Sequence, residues 1–119
     1  MLDLSLTILL VDSPEASAAF YAALLGREPV EASPTFALFV TPGGRIALWS
    51  RRTVEPAPEA VAGAAELAFT VEDVDATHAA WVAQGLRVLM PPRDLDFGRS
   101  AVALDPDGHR LRAYRLADG

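Results

Sequence analysis

The residues able to do chemistry in this chain are few. His78 and His109 are its two imidazoles. A histidine acts as a general base or a metal ligand only when a second functional group stands beside it. His78 falls in the middle of a predicted helix and His109 in a turn directly after Gly108, so both read as solvent-facing structural residues. The chain has no cysteine, which removes thiol nucleophiles, disulfides and cysteine–metal centres and fits a reducing cytoplasm. No Gly-x-Ser-x-Gly elbow occurs and no histidine lies beside a strand-end serine, so no nucleophile–base pair suggests itself. Gly43-Gly44 and Gly63 lack the pattern of a phosphate-cradling loop. No catalytic residue is expected.

The bulk properties narrow the function further. With 10 basic and 16 acidic side chains the formal net charge is −6. That balance argues against a nucleic-acid partner and is compatible with a cationic small molecule. No apolar run reaches the roughly 18 residues of a transmembrane helix. Residues 4–11 lack the basic flank and cleavage site of a signal peptide, so a cytoplasmic protein with no membrane partner is expected. A length of 119 residues at 51% hydrophobic content suits one domain, or two small ones sharing a core.

Any site must be positioned by a unit that the chain writes twice. Residues 5–12 and 66–73 are apolar strands ending in Asp12 and Asp73, and each runs straight into a helix. Laying Asp12 on Asp73 puts Phe20 on Trp81, both 61 positions apart (73 − 12 and 81 − 20). Ser13 suits the first N-cap, Pro14 the first helical position, Glu15 the positive end of the dipole and Gly26 the left-handed stop. Strands are then predicted over 28–31, 36–40 and 45–49, with a break at Ser33-Pro34 and a turn at Pro42-Gly43-Gly44. The Pro- and Ala-containing stretch to Gly63 reads as a linker. The second copy has a strand over 66–71 and a helix capped by Asp73 or Asp75 and stopped by Gly85. Strands follow at 87–90, ended by Pro91-Pro92, at 100–104 and at 109–114, the last two joined by the turn Asp105-Pro106-Asp107-Gly108. The expected boundaries are 1–53 for the first module, 54–64 for the linker and 65–119 for the second module.

Val11-Asp12, Phe20-Tyr21, Leu25-Gly26, Phe97-Gly98-Arg99 and Asp105-Pro106-Asp107-Gly108-His109, in this order across both halves, resemble the vicinal oxygen chelate superfamily. This is the glyoxalase / bleomycin-resistance / extradiol-dioxygenase group. The resemblance implies an α+β fold of two βαβββ modules forming a cup-shaped mixed sheet, often completed by a second, domain-swapped subunit. Modules of about 60 residues bury limited surface alone, so a homodimer is expected.

The family's metal quartet takes one group seven residues before each strand-end aspartate and one four residues after each turn glycine. The resemblance carries these positions to Ser5 (12 − 7), Glu66 (73 − 7), Leu48 (44 + 4) and Arg112 (108 + 4). Only Glu66 could bind a cation; Leu48 has no lone pair to give and Arg112 would repel one. A one-residue offset offers Leu4 or Leu6, Ala47 or Trp49, Ala65 or Leu67, and Leu111 or Ala113. No metal and no cofactor are therefore expected, and Glu66 is expected to pair with Arg112. If the four positions face the cup, alternation adds Thr7, Leu9, Ile46, Ser50, Ala68, Thr70, Arg110 and Tyr114 to that side. Leu6, Ile8, Leu67, Phe69, Leu111, Ala113 and Trp49 would then pack under the helices. Tyr114 is the stacking candidate and Phe97 a lid. The expected ligand-binding set is Ser5, Thr7, Leu48, Ser50, Glu66, Phe97, Arg112 and Tyr114. Together these imply a metal-free protein that sequesters a hydrophobic or aromatic drug or metabolite. The competing readings are a metal-dependent lyase, isomerase or dioxygenase, and a metabolite-binding regulatory domain.

Overall fold

The computed structural model describes residues 4–58 and 65–117. The chain divides into two compact units, Met1–Gly63 and Ala64–Gly119. The first holds β1 (Thr7–Val11), α1 (Pro14–Leu25), β2 (Glu31–Ala32), β3 (Phe36–Thr41) and β4 (Gly44–Ser50). The second holds β5 (Glu66–Thr70), α2 (Val74–Ala83), β6 (Arg87–Leu95), β7 (Gly98–Leu104) and β8 (Arg110–Leu116). Their sheets run β1-β4-β3-β2 and β5-β8-β7-β6. In each, the first strand pairs parallel with the last and the other pairs are antiparallel. The fold is α+β, built of two βαβββ units. Residues 54–58 of the expected linker form no helix or strand, and its remainder lies outside the described residues.

Local chemistry sets the helix ends. Ser13 Oγ accepts from the Ala16 amide at 3.2 Å, and Pro14 fills the first helical position. Gly26, at φ 66°, donates its amide to the Ala22 carbonyl. In the second unit Asp73 takes the cap, accepting from the Ala76 amide at 3.0 Å. Asp75, the other candidate, instead receives Arg99 from β7 through two bonds of 2.8 and 2.9 Å.

These caps correct the repeat. Ser13, not Asp12, is the counterpart of Asp73, so the halves are offset by 60 positions (73 − 13). The same offset matches Tyr21 to Trp81 (81 − 21), and these two are the buried aromatics of their helices, at 0% and 7% exposure. Asp12 sits one residue too early to cap. It pairs with Arg51, and its carbonyl accepts from Arg52 at 2.8 Å.

One residue of offset turns a strand over, because side chains alternate with a period of two. In the first unit Leu9 pairs with Leu48, Val11 with Ser50, Ala37 with Leu48 and Phe39 with Ile46, so all share a face. The Phe39 ring lies 6.5 Å from that of Tyr21, which places this face beneath α1. Leu48, at 0% exposure, and Ser50, at 6%, are therefore core and not ligand-facing as expected. Thr7 belongs to the same row, opposite Ile46. Ser5 precedes β1, and its carbonyl accepts from Arg45 at 3.2 Å. The far face, turned away from α1, carries Ile8, Leu10, Leu38, Ala47 and Trp49 instead. There Trp49 meets Phe36 edge to face at 5.9 Å, contrary to its expected place under the helix.

The second unit keeps the expected faces. Arg99 reaches α2, so the side of β7 that also carries Ala101 and Ala103 lies under the helix. Their partners Ala113 and Leu111, and those strands' partners Phe69 and Leu67, complete that side. One element differs. Pro91-Pro92 does not end β6, which continues to Leu95 with register irregularities between Val88 and Arg93. β6 is an edge strand, where a missing proline amide need cost no ladder bond.

Candidate functional site

Three rows of side chains cross the far face of the second sheet. The register aligns Arg87, Leu104, Arg110 and Glu66 in one row, Met90, Val102, Arg112 and Ala68 in the next, and Arg93, Ser100, Tyr114 and Thr70 in the third. Alternation along β5 and β8 places the polar members here, since Leu67, Phe69, Leu111 and Ala113 occupy the helix side.

Arg112 forms the centre. Its Nε and Nη2 donate to the two Glu66 oxygens at 3.0 and 3.3 Å, and its Nη1 donates to Ser100 Oγ at 2.8 Å. Arg110 adds a second cation, with Nε 2.9 Å from Glu66 Oε1. Glu66 is held below its ordinary 4.5, first by the Arg112 hydrogen bond and then by the two charges, against an opposing contribution from burial. Its folded pKa lies below the unfolded one. The stability it contributes is complete above about pH 4.5 and is lost as pH falls through the lowered value. In a urea-denaturation series the stability gap between wild type and Glu66→Gln should narrow as pH drops below about 4.5. A gap that stays constant to the acid limit would contradict the pairing.

Four of the residues expected from sequence come together in this unit. Glu66 and Arg112 pair, and Tyr114 lies in the adjacent row. Phe97, in the β6–β7 turn, meets Tyr114 edge to face at 6.3 Å and is 43% exposed. Ser5, Thr7, Leu48 and Ser50 belong to the first unit; Thr7, Leu48 and Ser50 lie on its α1 side, and Ser5 precedes β1. The structure also presents Phe36–Trp49 on that far face, a pair missed because the Asp12 alignment turned β4 over. The Ser13 cap was the signal that could have found it.

The cap-based register also moves the quartet positions. Glu66 corresponds to Leu6 (66 − 60), and Arg112, one residue before the Phe69 partner Ala113, corresponds to Ala47, one residue before the Leu9 partner Leu48. In neither unit do these positions fit a divalent cation: Leu6 and Ala47 are hydrocarbon, Arg112 is a guanidinium, and the Glu66 carboxylate is already bonded to two arginines.

A second cluster stands in the β7–β8 turn, where ligand atoms of Asp105, Asp107 and His109 lie within 4.8 Å of one another. These groups could hold a metal ion, but the turn itself uses the Asp105 carboxylate and the His109 ring. Asp105 Oδ1 accepts the amides of Asp107 at 2.9 Å and His109 at 2.8 Å, while Oδ2 accepts from His109 Nδ1 at 2.8 Å. His109 is 2% exposed, not solvent-facing as its turn position suggested. Asp105, itself 5% exposed, holds the ring in that buried place.

The family model described as Glyoxalase/Bleomycin resistance protein/Dioxygenase superfamily matches residues 4–113. The phenazine antibiotic resistance protein EhpR of Enterobacter agglomerans is 32% identical, over 94% of this chain and 91% of its own. A protein from Agrobacterium tumefaciens solved by solution NMR is 51% identical with a TM-score of 0.88, covering 99% of this chain and 100% of that one. A glyoxalase / bleomycin resistance protein / dioxygenase from Nocardioides is 25% identical with a TM-score of 0.84, covering 100% of this chain and 86% of that one. No helix among the described residues is long and apolar enough to cross a membrane. By its doubled unit, its sheet order and the extent of the family match, the chain belongs to the glyoxalase / bleomycin resistance protein / dioxygenase superfamily.

Proposed function

We propose that this protein binds a small aromatic molecule without a metal and protects by sequestering it. The observation that carries this reading is the Tyr114–Phe97 pair beside the Arg112–Glu66–Ser100 network. Aromatic side chains offer a planar ligand a stacking surface, and a few polar groups orient it. The likeness to a phenazine antibiotic resistance protein supports the ligand class, because a phenazine is a flat fused-ring aromatic. The quartet positions, spent on Leu6, Ala47 and a salt bridge, favour binding over the metal-dependent chemistry known in the same superfamily.

Titration with phenazine, followed by calorimetry, tests the reading. Saturable binding is expected, unchanged by EDTA and weakened about tenfold by Tyr114→Ala, the loss of one stacking contact. Binding abolished by EDTA and restored by a divalent cation would replace this function with the metal-dependent one. The protein is further proposed to be a two-fold homodimer in the cytoplasm. A monomeric mass in light scattering at micromolar concentration would contradict the first point, and cell fractionation tests the second.

A further inference from the structure

We infer that the ligand is an aromatic acid, its anionic group received by the arginines of the second unit's far face. This rests on the proposed binding function and names the ligand's chemistry within it. The three rows across that face carry Arg87, Arg93, Arg110 and Arg112 but a single carboxylate, Glu66, a net of +3 (4 − 1). The chain as a whole is −6, so the concentration of positive charge on one sheet face runs against the composition. A cationic ligand, which the net charge alone would suit, would meet repulsion here.

The arginines divide into two kinds. Arg112, with 17% side-chain exposure, has its Nε, Nη1 and Nη2 all bonded to Glu66 and Ser100, which makes it a fixed strut. Arg110 is 47% exposed and gives Glu66 its Nε. Arg87 and Arg93 are exposed and have no ion-pair partner among the described residues. Arg93 occupies the same row as Tyr114, with Ser100 between them. A ring stacked on Tyr114 would thus carry its acidic substituent toward Arg93 or Arg110. A planar guanidinium donates two parallel hydrogen bonds to a carboxylate, which fixes orientation as well as adding attraction.

The test compares phenazine-1-carboxylate with phenazine-1-carboxamide, which share their rings and differ in charge. The carboxylate is expected to bind about tenfold more tightly at low ionic strength, and the ratio should shrink as sodium chloride is raised. Arg110→Gln and, separately, Arg93→Gln should each move the ratio toward one. A purely structural role for these arginines would weaken both ligands equally and leave the ratio intact, which would overturn the inference. Equal affinity of the wild type for the two compounds would overturn it too, while leaving the binding function standing. Failure of both compounds to bind would remove the inference and the binding function together.

Discussion

Leu48→Asp is expected to leave the first unit unfolded at 25 °C. Leu48 is 0% exposed and sits between Leu9 and Ala37 on the α1 side of its sheet. Deleting a buried leucine costs about 2–5 kcal/mol, and a carboxylate without a partner in that place adds several more. Since a domain's whole stability is about 5–15 kcal/mol, little or none remains. Circular dichroism and urea denaturation read this directly. Ile8→Thr is the matched comparison, one position along β1 from Leu9, on the far face and 45% exposed. It should cost no more than about 1 kcal/mol. If the two variants behaved alike, the face assignment reached through the Ser13 cap would be wrong.

Gly98→Ala is expected to damage stability and binding together. Gly98 has φ 149°, a conformation that residues with a Cβ rarely adopt. A Cβ there would run into the Arg115 carbonyl and would lie 2.8 Å from the Ala117 amide nitrogen and 2.9 Å from Leu116 Cα. All three obstacles are backbone, so no side chain can swing aside. The end of β8 must move, breaking the 3.0 Å bond from the Ala117 amide to the Phe97 carbonyl. The combined cost is about 2–4 kcal/mol, a fall in melting temperature on the order of 10 °C. Displacing Phe97 from Tyr114 should weaken phenazine binding in the protein that still folds. A variant melting within a degree or two of wild type would show that β8 can yield there without penalty.

What was legible in the sequence was what is written locally. Ser13, Pro14, Gly26 and Asp73 each act on their own turn of chain, so both helices could be placed from residue type alone. The faces of the second sheet were legible too. Glu66-Leu67-Ala68-Phe69 and Arg110-Leu111-Arg112-Ala113 alternate in polarity, and the Glu66–Arg112 pair followed. In the first unit Ile8, Leu9 and Leu10 face Ala47, Leu48 and Trp49, apolar on both sides. A period of two has nothing to alternate there, and the orientation hung on choosing Asp12 or Ser13 as the landmark. Arg93 was hidden for a different reason. Pro91-Pro92 removes two amide donors, which argues for a strand end anywhere except at a sheet edge. His109 is buried with its ring bonded to Asp105, which residue spacing does not reveal.

That proline pair also decides how the second sheet can meet other chains. Each sheet margin is a potential template for recruiting foreign strands. The β6 margin lacks amide donors at Pro91 and Pro92 and is irregular in register, so it offers a poor start for intermolecular zippering. The β5 margin, at the other end of the sheet order, has no proline between Glu66 and Thr70. Within this sheet the two margins are thereby unequal as templates: the proline-bearing one is the poorer for recruiting a foreign strand.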